Sequence, residues 1–383
     1  MFAVLLFGLV LGSAVYCVLT CIAAVRYVMA KPAKPSSLPP ISILKPLSGI
    51  DLGLEANLRT FFEQSYPEFE VLFAIRRPDD PAIPVAERVR ARYPNVPSRL
   101  LVTGEPPYPN AKVYSLDCML SAARHELIVM ADSDVRVTPR LLHTIASEFQ
   151  DEAVGMVTCP YRAVPGASFW SRLEAIGLNT EFLGGVLVAR LLEGMKFALG
   201  PTIAARRAVL RQIGAFDSLK DYLAEDFVLG SLTASAGWKV VLSSYVIEHH
   251  IGSQAVVANL RHRLRWNRST RRSRPRGYIG QIFINPLPLA LLLTAARPSW
   301  WPVLAIMLVF RALAAWSTAH LALRDPLTRR LWWLVPLQDM AGFLLWLAGF
   351  WGNHILWRGH KYELLADGRF RLVGEKTTSA SAR

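Results

Sequence analysis

The chain has 383 residues, of which 52% are hydrophobic, and carries 43 Lys plus Arg against 29 Asp plus Glu, a net charge of +14. A mean hydropathy of +0.28 is high for a soluble protein, and the length allows two or three domains. The basic excess lies beside apolar stretches, at Arg26, Lys31 and Lys34 and then across residues 261–276. Membrane topology and anionic headgroups explain it, which sets nucleic acid aside as a partner.

Residues 2–25 contain no charge and exceed the roughly 20 apolar residues needed to cross a bilayer. No basic segment precedes them and no small-x-small cleavage site follows, so residues 1–29 are expected to be a retained membrane helix. Residues 30–40 form a Pro-rich linker, expected to be extended and solvated. Of the four cysteines, Cys17 and Cys21 fall in the first helix, and Cys118 and Cys159 fall beyond it. Their spacing fits neither a disulfide framework nor a metal site, and agrees with a reducing cytosolic face.

From residue 41 short apolar runs alternate with helical stretches. Strands are expected at 41–44, 71–75, 99–102, 127–131, 154–159, 200–205 and 238–243. Helices are expected around 57–62, 84–93, 111–123, 139–149, 208–213 and 222–236. This alternation predicts an α/β domain over 41–278 with a largely parallel sheet. Residues 169–192 form a long amphipathic stretch interrupted at Gly184-Gly185, fit either for the core or for the membrane surface.

Membrane segments are expected over 279–357. Residues 282–296 are broken by Pro286 and Pro288 and read equally as an interfacial, re-entrant or spanning segment. Residues 301–323 and 331–355 are long enough to cross, with Trp300, Trp301, Trp332, Trp333 and Trp357 near their ends as an aromatic belt. Residues 358–383 are expected to be a basic tail returning to the cytosol.

The stretch around 127–137 organises the domain. An unbroken apolar run, Leu127 to Ala131, reads as a buried parallel strand, and Asp132 and Asp134 stand at its carboxyl end, where open α/β sheets hold ligands. Two hard carboxylates there suit a divalent cation that also takes phosphate oxygens. Three further clusters fall at loops or helix starts: Asp79-Asp80, Glu225-Asp226, and His262 with Arg265-Trp266. Each also has an ordinary structural explanation: a turn before Pro81, favourable charge at a helix N-terminus, and a basic face lying against a membrane. His249 and His250, adjacent at a strand end, point to opposite sides and do not predict a shared metal.

Taken together, Ile43-Leu-Lys-Pro-Leu-Ser-Gly49, Asp79-Asp-Pro-Ala-Ile83, Tyr93-Pro-Asn-Val96, Asp132-Ser133, Ala224-Glu-Asp226 and Arg265-Trp266 resemble the ceramide glucosyltransferases. These are membrane-bound, inverting, family 2-like glycosyltransferases with an A-type nucleotide-sugar fold. The resemblance covers nearly the whole chain, and the pattern is also similar to bacterial transferases that glycosylate hopanoids. It implies that Asp80 lies at the nucleotide, Asp132 near the pyrophosphate, metal and sugar, and Asp226 at the catalytic base. Arg265 and Trp266 match the family's final pair, whereas His262 stands where Gln or Arg is usual. Asp134 completes an Asp-x-Asp that the animal enzymes lack in full.

The expected donor-binding set is therefore Asp80, Lys112, Asp132, Arg265 and Trp266. Asp132 and Asp134 are the expected ligands of Mg2+ or Mn2+. Transfer from a nucleoside diphosphate sugar needs the leaving diphosphate neutralised, and an acceptor hydroxyl needs a general base; Asp226 is the choice for that role. Trp266, His262 and residues 169–192 are placed on the acceptor side. The expected partners are a UDP-sugar, a lipid acceptor and the bilayer, in a bacterial inner membrane with the catalytic domain cytosolic. UDP-glucose is favoured, with UDP-N-acetylglucosamine and a hopanoid as the alternative. A processive polysaccharide synthase would need more spans for an export channel, and an inactive lipid-binding protein would not need all three Asp positions.

Overall fold

The computed structural model describes residues 1–30, 35–253, 255–357 and 360–373. Lys31 and Lys34 of the expected linker, and residues 374–383 of the expected tail, lie outside the described residues. The central sheet has seven strands: β1 (Ile41–Leu47), β2 (Phe69–Ile75), β3 (Ser98–Val102), β4 (Leu127–Ala131), β6 (Val154–Thr158), β8 (Thr202–Arg206) and β9 (Lys239–Leu242). The order is β3-β2-β1-β4-β8-β6-β9. Strands β1 to β4 pair in parallel, as do β6 and β9, while β8 runs antiparallel to both its neighbours.

Alternation along the strands divides the core into two layers, because successive side chains point to opposite faces. Ile41, Ile43, Val71, Phe73, Leu127 and Val129 pack with Leu58, Phe61 and Ile145. Leu44, Leu72, Ile128 and Met130 pack on the other face with Val113, Leu116, Leu210 and Phe216. Helices cover both faces, so the parallel strands can be apolar throughout.

A second sheet joins β5 (Val135–Arg136), β10 (Ile247–His250) and β7 (Tyr161–Val164) in the order β5-β10-β7. It places His249 opposite Val135, at the exit of the central strand. A third, antiparallel sheet is formed by β11 (His354–Trp357), β12 (His360–Leu364) and β13 (Phe370–Leu372). Its core includes Leu223, and the Phe370 amide donates to Asp221 O at 2.9 Å. The far end of the chain thereby grips the loop that precedes Glu225-Asp226.

Among the described residues, three helices are long and apolar enough to cross a membrane: Phe2–Met29, Phe169–Glu193 and Pro298–Ala322. Helices Pro275–Phe283 and Pro286–Ala296 meet at 56° and together pass the same test. The first helix buries Leu6, Val10, Ser13, Cys17 and Thr20 along one stripe and turns Leu5, Leu11, Val15 and Val18 outward. Its last turn docks on the α/β domain, where Tyr27 Oη donates to Ser243 O at 2.9 Å.

Within residues 331–355 a short helical turn, Trp332–Leu334, runs into helix Val335–Ala348, and β11 begins at His354. Arginines from helix Val256–Ser273 capture the chain here, with Arg268 donating to Trp351 O at 3.0 Å and to His354 O at 2.7 Å, and Arg271 to Gly352 O at 2.8 Å. Residues 169–193 are helical without a break at Gly184-Gly185. The two glycines instead let Tyr16 and Thr20 of the first helix approach closely, and the most apolar window of this helix is 61% buried within the protein.

Candidate active site

Strand β4 delivers Asp132 to the carboxyl edge of the sheet, where its amide donates to Pro201 O at 3.0 Å. Lys112, in the first turn of helix Ala111–Ala122, lies 2.8 Å from Asp132 Oδ1 and 3.1 Å from Glu225 Oε1. Asn110 sets that turn by accepting from the Val113 amide at 3.2 Å and donating to Tyr222 O at 2.9 Å. Burial opposes the charge on Lys112, but Asp132 and Glu225 outweigh it and hold the ammonium well above its ordinary range. Lys112, Asp132, Glu225 and Asp226 line one crevice, floored by Met130, Ile203 and Phe216.

Asp226 opens helix Glu225–Ser235, and its Oδ1 accepts from the Phe227 amide at 2.8 Å. A Cβ at Gly200 would sit 2.9 Å from Asp226 Oδ2, so only glycine leaves that carboxylate its place. Burial first, and repulsion from Glu225 second, push the Asp226 carboxyl up to about 6, against the pull of Lys112 and the Phe227 and Gly200 amides. A carboxylate near neutrality matches the requirement for a general base.

Asp134 lies in the turn between β4 and β5. Its Oδ2 lies 3.1 Å from His249 Nε2, and its carbonyl accepts from the His250 amide at 2.8 Å. Burial works against the charge of Asp134, yet His249, Lys45 and Lys112 together hold its carboxyl below the usual range. Asp132 shifts the other way, since its burial outweighs Lys112 and Asp134 repels it. Asp134 and Asp132 raise His249 despite its burial. His250 turns to the opposite side, 3.2 Å from Glu248 Oε2, as alternation along β10 requires.

Among the described residues no three His, Cys, Asp or Glu side chains converge on a ready-made metal site. Asp134 Oδ1 is nevertheless buried without a hydrogen-bond partner in the protein. A buried carboxylate oxygen left unpaired is costly, and Asp132 and Asp134 offer the hard-oxygen donors that Mg2+ combines with phosphate oxygens. The donor set therefore fits a divalent cation whose remaining ligands come from substrate.

Sequence reasoning passed over Lys45. It sits fully buried in β1, donating to Asp132 O at 2.7 Å and lying 3.6 Å above the Phe61 ring. Burial pulls its ammonium down to about 7 against Asp132, Asp134 and Asp51. The available signal was a lysine inside an otherwise apolar strand. His249 was likewise set aside, because its partner Asp134 is close only in the folded chain.

Asp80 stands apart from the crevice residues in what it binds. Both its oxygens accept from the Gly49 amide, at 3.0 and 3.1 Å, and Oδ1 accepts from the Ala82 amide at 2.9 Å. It ties the loop after β1 to the helix after β2, while Asp79 faces Arg77 at 3.5 Å. Helix Val256–Ser273 carries His262, Arg265 and Trp266. His262 Nδ1 lies 3.0 Å from Glu174 Oε1, and the Trp266 ring lies 5.2 Å from His262 and 6.4 Å from Phe182. Phe182 stacks on Tyr161, whose ring meets His249 edge-on, both at 5.2 Å. An unbroken aromatic path thus joins the expected acceptor-side residues to Asp134.

The family model for glycosyl transferase family 21 matches residues 5–370. Ceramide glucosyltransferase 1 of Caenorhabditis elegans is 29% identical over 232 residues, 60% of this chain and 49% of that protein. A ceramide glucosyltransferase of Komagataella phaffii is 36% identical over 107 residues, 27% of this chain and 21% of that protein. The chain thus spans about half the length, or less, of these relatives. Among solved structures, a mannosyltransferase of Pyrobaculum calidifontis in complex with GDP-Man and Mn2+ superposes with a TM-score of 0.52 at 18% identity. That match covers 91% of this chain and 99% of the other, and at this identity it is a likeness of fold.

Proposed function

The chain belongs to glycosyl transferase family 21, and from that membership we propose that it moves one hexose from UDP-glucose to the hydroxyl of a ceramide-like membrane lipid, with inversion. One observation carries the reading: Lys112 ties Asp132 to Glu225 beside Asp226, so one crevice holds a cation-buffered carboxylate and a carboxyl pushed up to about 6. An inverting transfer needs that pairing, a donor-facing charge system and a base for the incoming hydroxyl.

In this reading Asp226 accepts the proton of the acceptor hydroxyl as its oxygen attacks the anomeric carbon. Lys112 and Arg265 face the diphosphate that leaves, and Lys45 holds the Asp132 carbonyl in place from below. Asp80 orders the loop beside the nucleotide. Asp132 and Asp134 would hold Mg2+ or Mn2+, which when bound supplies positive charge to the departing diphosphate. The acceptor reaches the crevice along Trp266 and Phe182 from the membrane helices. Those helices keep the domain at the bilayer, with the crevice on the cytosolic side.

The test is a transfer assay on the full chain in detergent. It pairs labelled UDP-glucose and UDP-N-acetylglucosamine with ceramide, a hydroxylated hopanoid and diacylglycerol. A single monoglucosylated ceramide is expected, lost on chelation and restored by Mg2+ or Mn2+. A hopanoid product with N-acetylglucosamine would replace both substrates, and metal-independent turnover would remove the role of Asp134. No product from any pair, with no UDP binding, would sink the reading.

A further inference from the structure

The turn between β12 and β13 stands between two elements that carry site residues. On one side Arg369 forms a bridge with Tyr222, and the Phe370 amide donates to Asp221 O at 2.9 Å. Leu223 is buried there with Tyr362, Leu364 and Phe370, just ahead of Asp226. On the other side Gly368 lies against the last residue of helix Val256–Ser273, where a Cβ on Gly368 would come within 3.1 Å of Ser273 Oγ. That helix carries His262, Arg265 and Trp266. Neighbouring residues of one turn therefore touch the loop of Asp226 and the helix of Arg265.

The turn is internally braced. Asp367 accepts from the Arg369 amide at 3.1 Å and from Arg369 Nε at 2.6 Å. The Leu365 amide donates to Arg369 O at 2.8 Å, and Gly368 takes the positive φ of 85° that suits glycine. The sheet is tied to the same helix a second time. The Leu364 amide donates to Asn353 O at 2.7 Å, and Asn353 Oδ1 accepts from Arg271 at 3.0 Å and from Arg272. From the opposite direction Asn110 donates to Tyr222 O at 2.9 Å, so the loop is stopped on both sides. None of the residues that line the crevice comes from the third sheet. Whatever it does for the site, it does through the elements it holds.

We infer that the turn at 365–369 is a positioning element that fixes the spacing between Arg265-Trp266 and Asp226. The inference rests on the transfer reading for the roles of Arg265 and Asp226. An in-line displacement needs the leaving diphosphate and the base on opposite sides of one carbon, and a misplacement of about 1 Å can cost about a hundredfold in rate. Asp226 follows a loop rather than a strand. Arg265 rides on a helix in which Asn259 is the buried residue, so core packing does little to hold it. A brace that spans both supplies the missing constraint.

The test uses the full chain in detergent, with the UDP-sugar and lipid that react in the transfer assay. Gly368→Ala pushes a methyl toward Ser273, and Phe370→Ala removes the ring packed with Leu223. Each should lower kcat about tenfold and leave the donor KM within about twofold. The double variant should lose no more than about tenfold, because both changes cut one link. Losses that multiply toward about a hundredfold, or a donor KM that rises in step, would overturn the inference. Amide hydrogen exchange without substrates gives a second readout: Gly368→Ala should speed exchange across the turn, at residues 222–228, by about tenfold. Unchanged exchange there would also overturn it. Should Phe370→Ala fail to fold, Asp367→Ala, at an exposed position, loosens the same turn and should give the same split between kcat and KM. Exchange that responds in this way in a chain that transfers no sugar would sink the transfer reading and leave the brace standing.

Discussion

The crevice and an ion pair between the apolar helices both bury opposite charges, yet they finish differently. In the crevice the side chains of Lys112, Asp132 and Glu225 remain 21%, 30% and 16% exposed. Between the apolar helices, Arg311 and Asp339 are 4% and 0% exposed, and Arg311 Nε is shared between both Asp339 oxygens. An exposed system keeps bonding capacity for a charged ligand that arrives and leaves. A buried pair holds its helices together because neither partner tolerates loss of the other.

Substitutions can break this contrast. Asp226→Asn should lower turnover about a thousandfold, within the range for a lost general base, with UDP-sugar affinity held within about twofold. Near-normal turnover of that variant would move the base elsewhere. Arg311→Leu should cost about 3–5 kcal/mol of stability by stranding Asp339, read as a fall in detergent melting temperature. Arg311→Leu with Asp339→Leu should recover most of it, since an apolar pair of similar volume replaces both charges. A double variant as unstable as the single one would show that the pair does more than join helices.

Acidity sharpens the comparison at lower cost. With Asp226 as the proposed base and its carboxyl pushed up to about 6, kcat/KM should fall about tenfold per pH unit below that value. A profile flat down to pH 5 would contradict the assignment. The same shift acts on stability in the opposite sense. The folded state holds this proton more tightly than the unfolded chain, so stability is fully present in acid and declines as pH rises through about 6. The smallest effect belongs to exposed pairs: Glu55→Ala, which loses Arg92 at 2.7 Å and Arg88 at 3.4 Å, should change stability by no more than about 0.5 kcal/mol. A larger loss would mean that surface pairs carry weight comparable to the buried ones.

The strands at 41–47, 69–75, 127–131 and 154–158 were legible because each is an apolar run between turn signals. The direction of β8 was not, since an antiparallel strand among parallel ones has the same local composition. Strand β5 is two residues long and exists only through its pairing with β10, so nothing local announces it. Asp132 and Asp226 were visible as carboxylates at a strand end and a helix start. Their joining through Lys112 depends on residues far apart in the chain, as does the pairing of His249 with Asp134. Within residues 331–355 the helix end at Ala348 was not legible, because apolar length alone does not show the arginines of helix Val256–Ser273 that hold the chain at Gly352 and His354.

The third sheet imposes an order in time. Phe370 grips Asp221, and β12 and β13 enclose Leu223, just ahead of Glu225 and Asp226. A ribosome makes those strands only after the helices from Phe2 to Ala348 have been synthesised. The nascent domain can therefore build its parallel sheet early, but the loop that carries Asp226 gains its last support after the membrane helices have been made.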